Sequence, residues 1–161
     1  MNDAAAWDVL RTVLDPEVPV LSVVELGIVR DVRVDGDTTH VTVTPTYSGC
    51  PATEVIRDAI VVALREAGAR DVQVQTRLAP AWTTDWIGPE AAEKLRRYGI
   101  APPHLRAADA EAPLRFRPHG IACPRCGSTR TERLAPFGAT ACKALHRCLD
   151  CGEPFEHFKP H

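Results

Sequence analysis

Ile28-Val29-Arg30-Asp31-Val32-Arg33-Val34-Asp35-Gly36-Asp37-Thr38-Thr39-His40-Val41-Thr42-Val43-Thr44 is the stretch on which the fold turns. Two runs rich in β-branched residues, 28–34 and 39–44, flank Asp35-Gly36-Asp37, whose central glycine accepts the backbone angles of a tight turn. Together they predict a β-hairpin. Val32 and Val34 on one side, and Val41 and Val43 on the other, alternate with polar residues, so each strand has one buried face. Downstream, residues 51–67 predict a helix. Pro51 suits a first helical position, Gly68 suits the C-terminal cap, and Val55, Ile56, Ala59, Ile60, Ala63, Leu64 and Ala67 form an apolar stripe. Residues 71–76 predict a third strand with Val72 and Val74 inward. Upstream, residues 4–14 predict a short helix carrying Trp7, Leu10 and Leu14, stopped by Pro16 and Pro19. The order is α-β-β-α-β. Three strands cannot bury both faces alone, so both helices are expected to cover one side in a two-layer α+β sandwich.

Beyond the third strand, residues 78–87 hold Trp82 and Trp86, and residues 89–98 predict another short helix. From 99 to 119 there are four prolines and no apolar period, which predicts a linker. The expected organisation is a domain over 1–98, a linker over 99–119 and a small cysteine-rich module over 120–161.

The chain has 161 residues, 45% hydrophobic and 25% charged, with a formal charge of −2. That balance excludes a generally basic nucleic-acid binder. Residues 1–98 carry 10 Lys and Arg against 15 Asp and Glu, a net of −5, and residues 99–161 carry 9 against 6, a net of +3. A tail so weakly basic makes no case for nucleic acid. No run approaches the roughly 18 apolar residues of a membrane span. The first residues lack the charged start and apolar core of a signal peptide. A soluble, cytoplasmic protein is expected, with no membrane partner.

Five of the six cysteines fall in the last 39 residues, a clustering that in a reducing compartment predicts metal ligation rather than disulfides. Cys123-Pro124-Arg125-Cys126-Gly127 and Cys148-Leu149-Asp150-Cys151-Gly152 are two Cys-x-x-Cys-Gly turns, with 21 residues between Cys126 and Cys148. Two intervening residues let both sulfurs of a turn reach one ion, and the following glycine permits a positive φ. Cys123, Cys126, Cys148 and Cys151 are therefore expected to hold zinc tetrahedrally in a zinc ribbon, with iron as the other metal that fits. Four thiolates leave no open position for a substrate, so the metal is expected to be structural and to supply much of the ribbon's folding free energy. Cys142 reads either as a small buried residue or as a further ligand. His119, His146, His157 and His161 lack paired spacing and are expected on the surface.

Cys50, between Gly49 and Pro51, falls at the expected N-cap of the long helix, where the dipole and free N–H groups favour a thiolate. It reads either as a functional thiol that binds soft metal or as a packed structural cysteine. His40 is a whole strand away at about 3.4 Å per residue, too far to be its base. Asp15, Glu17 and Glu25 are candidate hard ligands or bases, or merely solvated acids.

Asp15-Pro16-Glu17-Val18-Pro19, Val24-Glu25-Leu26-Gly27-Ile28-Val29 and Thr46-Tyr47-Ser48-Gly49-Cys50-Pro51 resemble the motifs of the metal–sulfur cluster assembly family over residues 5–87. Trp82-Thr83-Thr84-Asp85-Trp86, Gly99-Ile100-Ala101-Pro102-Pro103, Cys142-Lys143-Ala144-Leu145 and Glu153-Pro154-Phe155 extend the resemblance. Over nearly the whole chain it is similar to the D-subunit family of the phenylacetyl-CoA epoxidase system. The resemblance implies that Cys50 is the functional thiol, with Asp15 and Glu17 nearby. It also implies that the protein is not itself catalytic and matures an iron–sulfur cluster, the client being the iron–sulfur reductase of that system. A single thiolate cannot hold a [2Fe–2S] cluster, so iron or cluster at Cys50 is expected to be transient and shared across a homodimer or with a partner. The ribbon and the tryptophan segment are the expected docking elements. The other reading is a structural subunit of the epoxidase. The tail departs from its relatives: it ends Phe158-Lys159-Pro160-His161, where related tails often place a cysteine after Phe-Lys.

Overall fold

The computed structural model describes residues 1–47, 49–103 and 120–161. Backbone contacts divide the chain into one unit over Met1–Trp82 and a second over Thr83–His161.

In the first unit, helix α1 (Asp3–Leu10) is capped by Asn2, whose side chain accepts the Ala5 N–H at 2.9 Å. Strand β1 (Val29–Asp35) pairs antiparallel with β2 (Thr38–Val43), helix α2 (Ala52–Glu66) follows, and β3 (Asp71–Thr76) lies parallel to β2. The sheet order is β1-β2-β3. Helix α1 packs on β1 and on α2, and α2 packs on β3, so the helices form the second layer as expected. A shift in register between Val29 and Asp31 lets Val29 and Val32 both point inward, three residues apart. Ile56, Ile60 and Leu64 of α2 are buried, as are Leu10, Leu21 and Leu26, within this unit. Helix α2 ends in paired bonds from Gly68 N to the Arg65 carbonyl and Ala69 N to the Leu64 carbonyl, each 3.0 Å, with Gly68 at φ +98°.

Three local expectations are corrected. Helix α1 stops at Leu10 rather than 14 because the Thr12 hydroxyl and N–H both take the Val9 carbonyl. This turns Val13 into the core and leaves Leu14 54% exposed. Val55 of the expected stripe faces outward. Trp82 is not a docking side chain: it is buried and donates its indole N–H to the Leu26 carbonyl at 2.8 Å. Trp82→Phe should keep an aromatic ring there, smaller than the indole, and leave that carbonyl without its donor. Chemical denaturation should read a loss of about 1–2 kcal/mol.

In the second unit, helix α3 (Pro89–Tyr98) starts on Pro89 and ends at Gly99, whose φ of +96° is the left-handed cap glycine permits. Strands β4 (Ile100–Ala101), β5 (Thr131–Ala135), β6 (Lys143–Cys148) and β7 (Pro154–Phe158) form a sheet of order β4-β7-β6-β5. Residues 99–103 are therefore not linker: Ile100 and Ala101 pair in parallel with Glu156 and His157. The remainder of that stretch, 104–119, and with it His119, lies outside the described residues. Because α3 packs on β4 and β4 is hydrogen-bonded to β7, residues 89–101 sit in the second unit rather than in a domain ending at 98. His146 and His157 are buried, not on the surface. They stand on adjacent strands with ring centroids 5.5 Å apart, and His146 stacks on Phe155. His161 is exposed as expected.

Candidate metal centre

The two Cys-x-x-Cys-Gly turns have the same backbone. In the first, Cys123 N–H donates to the Ser128 carbonyl and Gly127 N–H to the Cys123 carbonyl, each at 2.9 Å. In the second, Cys148 N–H donates to the Glu153 carbonyl at 2.9 Å and Gly152 N–H to the Cys148 carbonyl at 3.0 Å. Gly127 and Gly152 take φ of +76° and +78°, the conformation the sequence spacing demanded. Gly120, which leads into the first turn, passes so close to β5's approach that a Cβ there would lie 1.9 Å from the Thr129 carbonyl oxygen.

The turns bring Cys123, Cys126, Cys148 and Cys151 together, every sulfur within 4.8 Å of the others. Across the turns, Cys126 and Cys148 sulfurs stand 3.6 Å apart and Cys123 and Cys151 sulfurs 3.8 Å apart. Four sulfurs at the ~2.3 Å of a zinc–sulfur bond in a regular tetrahedron lie about 3.8 Å from one another, so the donor set fits such an ion without rearrangement. The first cysteine of each turn is anchored: Cys123 and Cys148 form a small core with Ala101, Phe155 and Ile121. The second, Cys126 and Cys151, are exposed. Arg125 reaches from the first turn to Glu153 beside the second at 2.5 Å, and Arg130 reaches Asp150 at 2.5 Å.

Four crowded thiols cannot all ionise without a cation. The Ser128 N–H hydrogen bond works to lower the Cys126 pKa. Desolvation and the thiols of Cys148, Cys151 and Cys123 outweigh it, and Cys126 is pushed up to about 12. Cys148 goes the other way, to about 7: the Cys151 N–H, the Asp150 N–H and the neighbouring thiols stabilise its thiolate against desolvation. A divalent cation removes this conflict, because its charge lets all four sulfurs ionise together.

Among the described residues no other group of three or more metal-binding side chains converges. Cys142 is not a ligand of this set; it is buried, its sulfur 3.1 Å from the Thr140 hydroxyl. Cys50 is 8% exposed and precedes the N-cap of α2 rather than forming it. Pro51 occupies the cap, already at helical angles, and the Cys50 carbonyl accepts the Thr53 N–H at 3.1 Å. Asp15 is buried and committed locally, one carboxylate oxygen accepting the N–H groups of Glu17 (2.8 Å) and Val18 (2.7 Å). Glu25 and Ser22 cap one another's backbone N–H groups, at 2.9 and 3.2 Å. These acids shape the 15–28 segment, and Cys50, Asp15 and Glu17 form no three-donor site among the described residues. Sequence reasoning missed the pairing of Lys143 with Glu156 at 2.8 Å inside the second unit, for which no local motif exists.

Residues 3–76 match the family described as iron-sulfur cluster assembly protein, and residues 107–159 match the PaaD zinc beta ribbon domain. The chain is 49% identical to a protein of Escherichia coli strain K12 provisionally named as the D-subunit of 1,2-phenylacetyl-CoA epoxidase, over 95% of this chain and 90% of that one. It is 41% identical to the Fe-S protein maturation auxiliary factor YitW of Bacillus subtilis strain 168, over 47% of this chain and 76% of that one. A solved DUF59 domain of unknown function from Bacillus anthracis matches 58% of this chain and 90% of its own, at 26% identity and a TM-score of 0.54. No described helix is long and apolar enough to cross a membrane.

Proposed function

The chain belongs to the D-subunit family of the phenylacetyl-CoA epoxidase system, and on that premise we propose that it is a cytoplasmic, non-catalytic accessory protein that matures the iron–sulfur cluster of the epoxidase system's reductase. The observation that carries this reading is the union, in one chain, of an iron–sulfur assembly unit over 3–76 with a four-cysteine ribbon. Zinc is the metal of the ribbon and holds it folded; with four protein sulfurs on the ion, no coordination position remains for a reacting group. Cys50 is the thiol that takes iron or cluster, and Asp15, by tying back the chain at Glu17 and Val18, shapes the acidic segment that accompanies it. A lone thiolate can hold iron but cannot complete a cluster. Further ligands come from a second copy of the chain or from the client.

Replacing Cys50 by Ser should leave the zinc content and the melting temperature nearly unchanged. Iron and acid-labile sulfide per reductase chain should fall several-fold when the variant replaces the wild-type protein in cells. Full occupancy of the reductase with the variant would remove Cys50 from the mechanism. That the Escherichia coli relative is named as a subunit favours a second reading, a permanent structural component. That reading requires stoichiometric copurification with the epoxidase and a continuing need for the protein after the reductase cluster is installed.

A further inference from the structure

Two adjoining cavities open beside the last turn of α3. One, of about 450 Å³, is walled by Ala101, Pro102, Ile121 and the first cysteine turn. The other, of about 250 Å³, lies among Tyr98, Pro124 and Phe155. Arg96 and Arg125 line both, and Arg97 lines the second. The first cavity is lined mainly by apolar atoms and the second mainly by polar ones, with guanidiniums bordering both.

The three guanidiniums meet two carboxylates. Glu93 accepts from Arg96 Nε and Nη2 at 2.7 and 2.6 Å and from Arg97 Nε at 2.9 Å, and the paired cations hold its carboxyl down to about 2. Glu153 accepts from Arg125 Nη1 at 2.5 Å. Among the described residues, Arg97 is engaged through Nε alone and Arg125 through Nη1 alone. Their remaining N–H donors face the outside, with side chains 76% and 68% exposed.

We propose that this trough docks an acidic, extended segment of a partner protein, an apolar side chain entering the cavity while neighbouring carboxylates meet Arg97 and Arg125. Screening decides between this occupant and a small free anion. Each exposed guanidinium contributes little by itself in salt, so a lone anion is held weakly, whereas one chain that engages both cations and the cavity sums the contacts. The trough deepens the accessory reading above, on which it rests, by supplying the surface that reads the client. Its wall is the Cys123–Gly127 turn, so docking also depends on the ribbon's metal.

The test is fluorescence anisotropy of the zinc-loaded full chain with the fluorescein-labelled peptide Glu-Leu-Glu-Glu-Leu-Glu. Saturable binding below millimolar is expected, weakened at least tenfold in Arg97→Glu and in Arg125→Glu, and likewise when Ala replaces Leu or Gln replaces Glu in the peptide. Arg133→Glu, an exposed charge on β5 away from the trough, should bind like wild type. Zinc content and thermal melts report whether each variant is folded, and Arg97→Glu, at a highly exposed position, serves if Arg125→Glu is not. No saturation, equal affinity in Arg97→Glu, or displacement by equimolar inorganic phosphate overturns the proposal. If the peptide fails while Cys50→Ser still lowers reductase cluster content, the docking site falls and the maturation reading stands.

Discussion

Cys148→Ser should abolish stoichiometric zinc binding and unfold the second unit while leaving the first folded. Cys148 offers one of the four converging sulfurs and, 1% exposed, packs in a cluster with Ala101, Cys123 and Phe155, with Ile121 against it. Two of these five residues belong to the four-sulfur set, so without the ion the turns lose both their cross-link and the packing around it. Structural zinc in small modules contributes roughly 10–16 kcal/mol of apparent binding free energy, enough to decide whether this ribbon folds. Circular dichroism should show loss of the ribbon's strands, and denaturation should retain one transition from the unit built on Leu10, Leu21 and Ile60. A strong chelator should give the same result in the wild-type chain. Cys142→Ser, whose sulfur lies outside the four-sulfur set, should keep one zinc per chain. Retention of zinc by Cys148→Ser would disprove the ligand assignment. The pH dependence has a definite sign. Zinc binds thiolates, so its uptake releases protons, and acidification through the range where Cys148 titrates, about 7, should weaken binding steeply. A pH-stat titration counts the protons directly.

Glu156→Leu should destabilise the second unit by about 3 kcal/mol in thermal or denaturant unfolding of the zinc-loaded protein. The Lys143 side chain is 5% exposed and its ammonium lies 2.8 Å from Glu156, which retains 23% exposure. Removing the carboxylate leaves a buried ammonium without its counter-charge, a loss of roughly 3–5 kcal/mol for interior pairs and toward the low end where one partner keeps some water. The same carboxylate accepts the Ala139 N–H at 2.6 Å, fixing the 136–142 turn. Lys143→Met combined with Glu156→Leu should recover much of the loss, since an apolar pair carries no desolvation penalty. Equal stability of Glu156→Leu and wild type would remove the ion pair from the account of this unit's stability. Desolvation by burial pushes the Glu156 pKa upward, but the Lys143 hydrogen bond and charge and the Ala139 N–H prevail, leaving it below the ordinary carboxylate value. The contribution is therefore complete above the unfolded carboxylate pKa and is lost as pH falls through the lower folded one. The wild-type advantage over Glu156→Leu should shrink in mildly acidic solution, below that unfolded value.

The hairpin, helix α2 and strand β3 were legible because each is written in a local period. Alternating valines give 29–43 its faces, and Ile56, Ile60 and Leu64 recur at four-residue spacing. The metal turns were legible for the same reason: two residues between cysteines and a following glycine are a complete local instruction, repeated identically at 123–127 and 148–152. What failed depends on partners far along the chain. Strand β7 carries Phe155, His157 and Phe158, and nothing within that stretch says that the imidazoles turn inward beside His146. Trp82 looks like an exposed docking residue until the Leu26 carbonyl, 56 positions away, takes its N–H.

The sequence by itself determined the strand and helix content of the first unit, and the four cysteines that converge, grouped in two turns. All of these follow from contacts within a few residues, where chain geometry leaves little freedom. Only the tertiary structure decided that β3 runs parallel to β2, that β4 closes the second sheet, that Asp15 is spent on its own backbone and that Arg96, Arg97 and Arg125 share one trough. Such arrangements are fixed by which apolar surfaces exclude water together and which buried polar groups find partners, a competition among distant segments that no local pattern encodes.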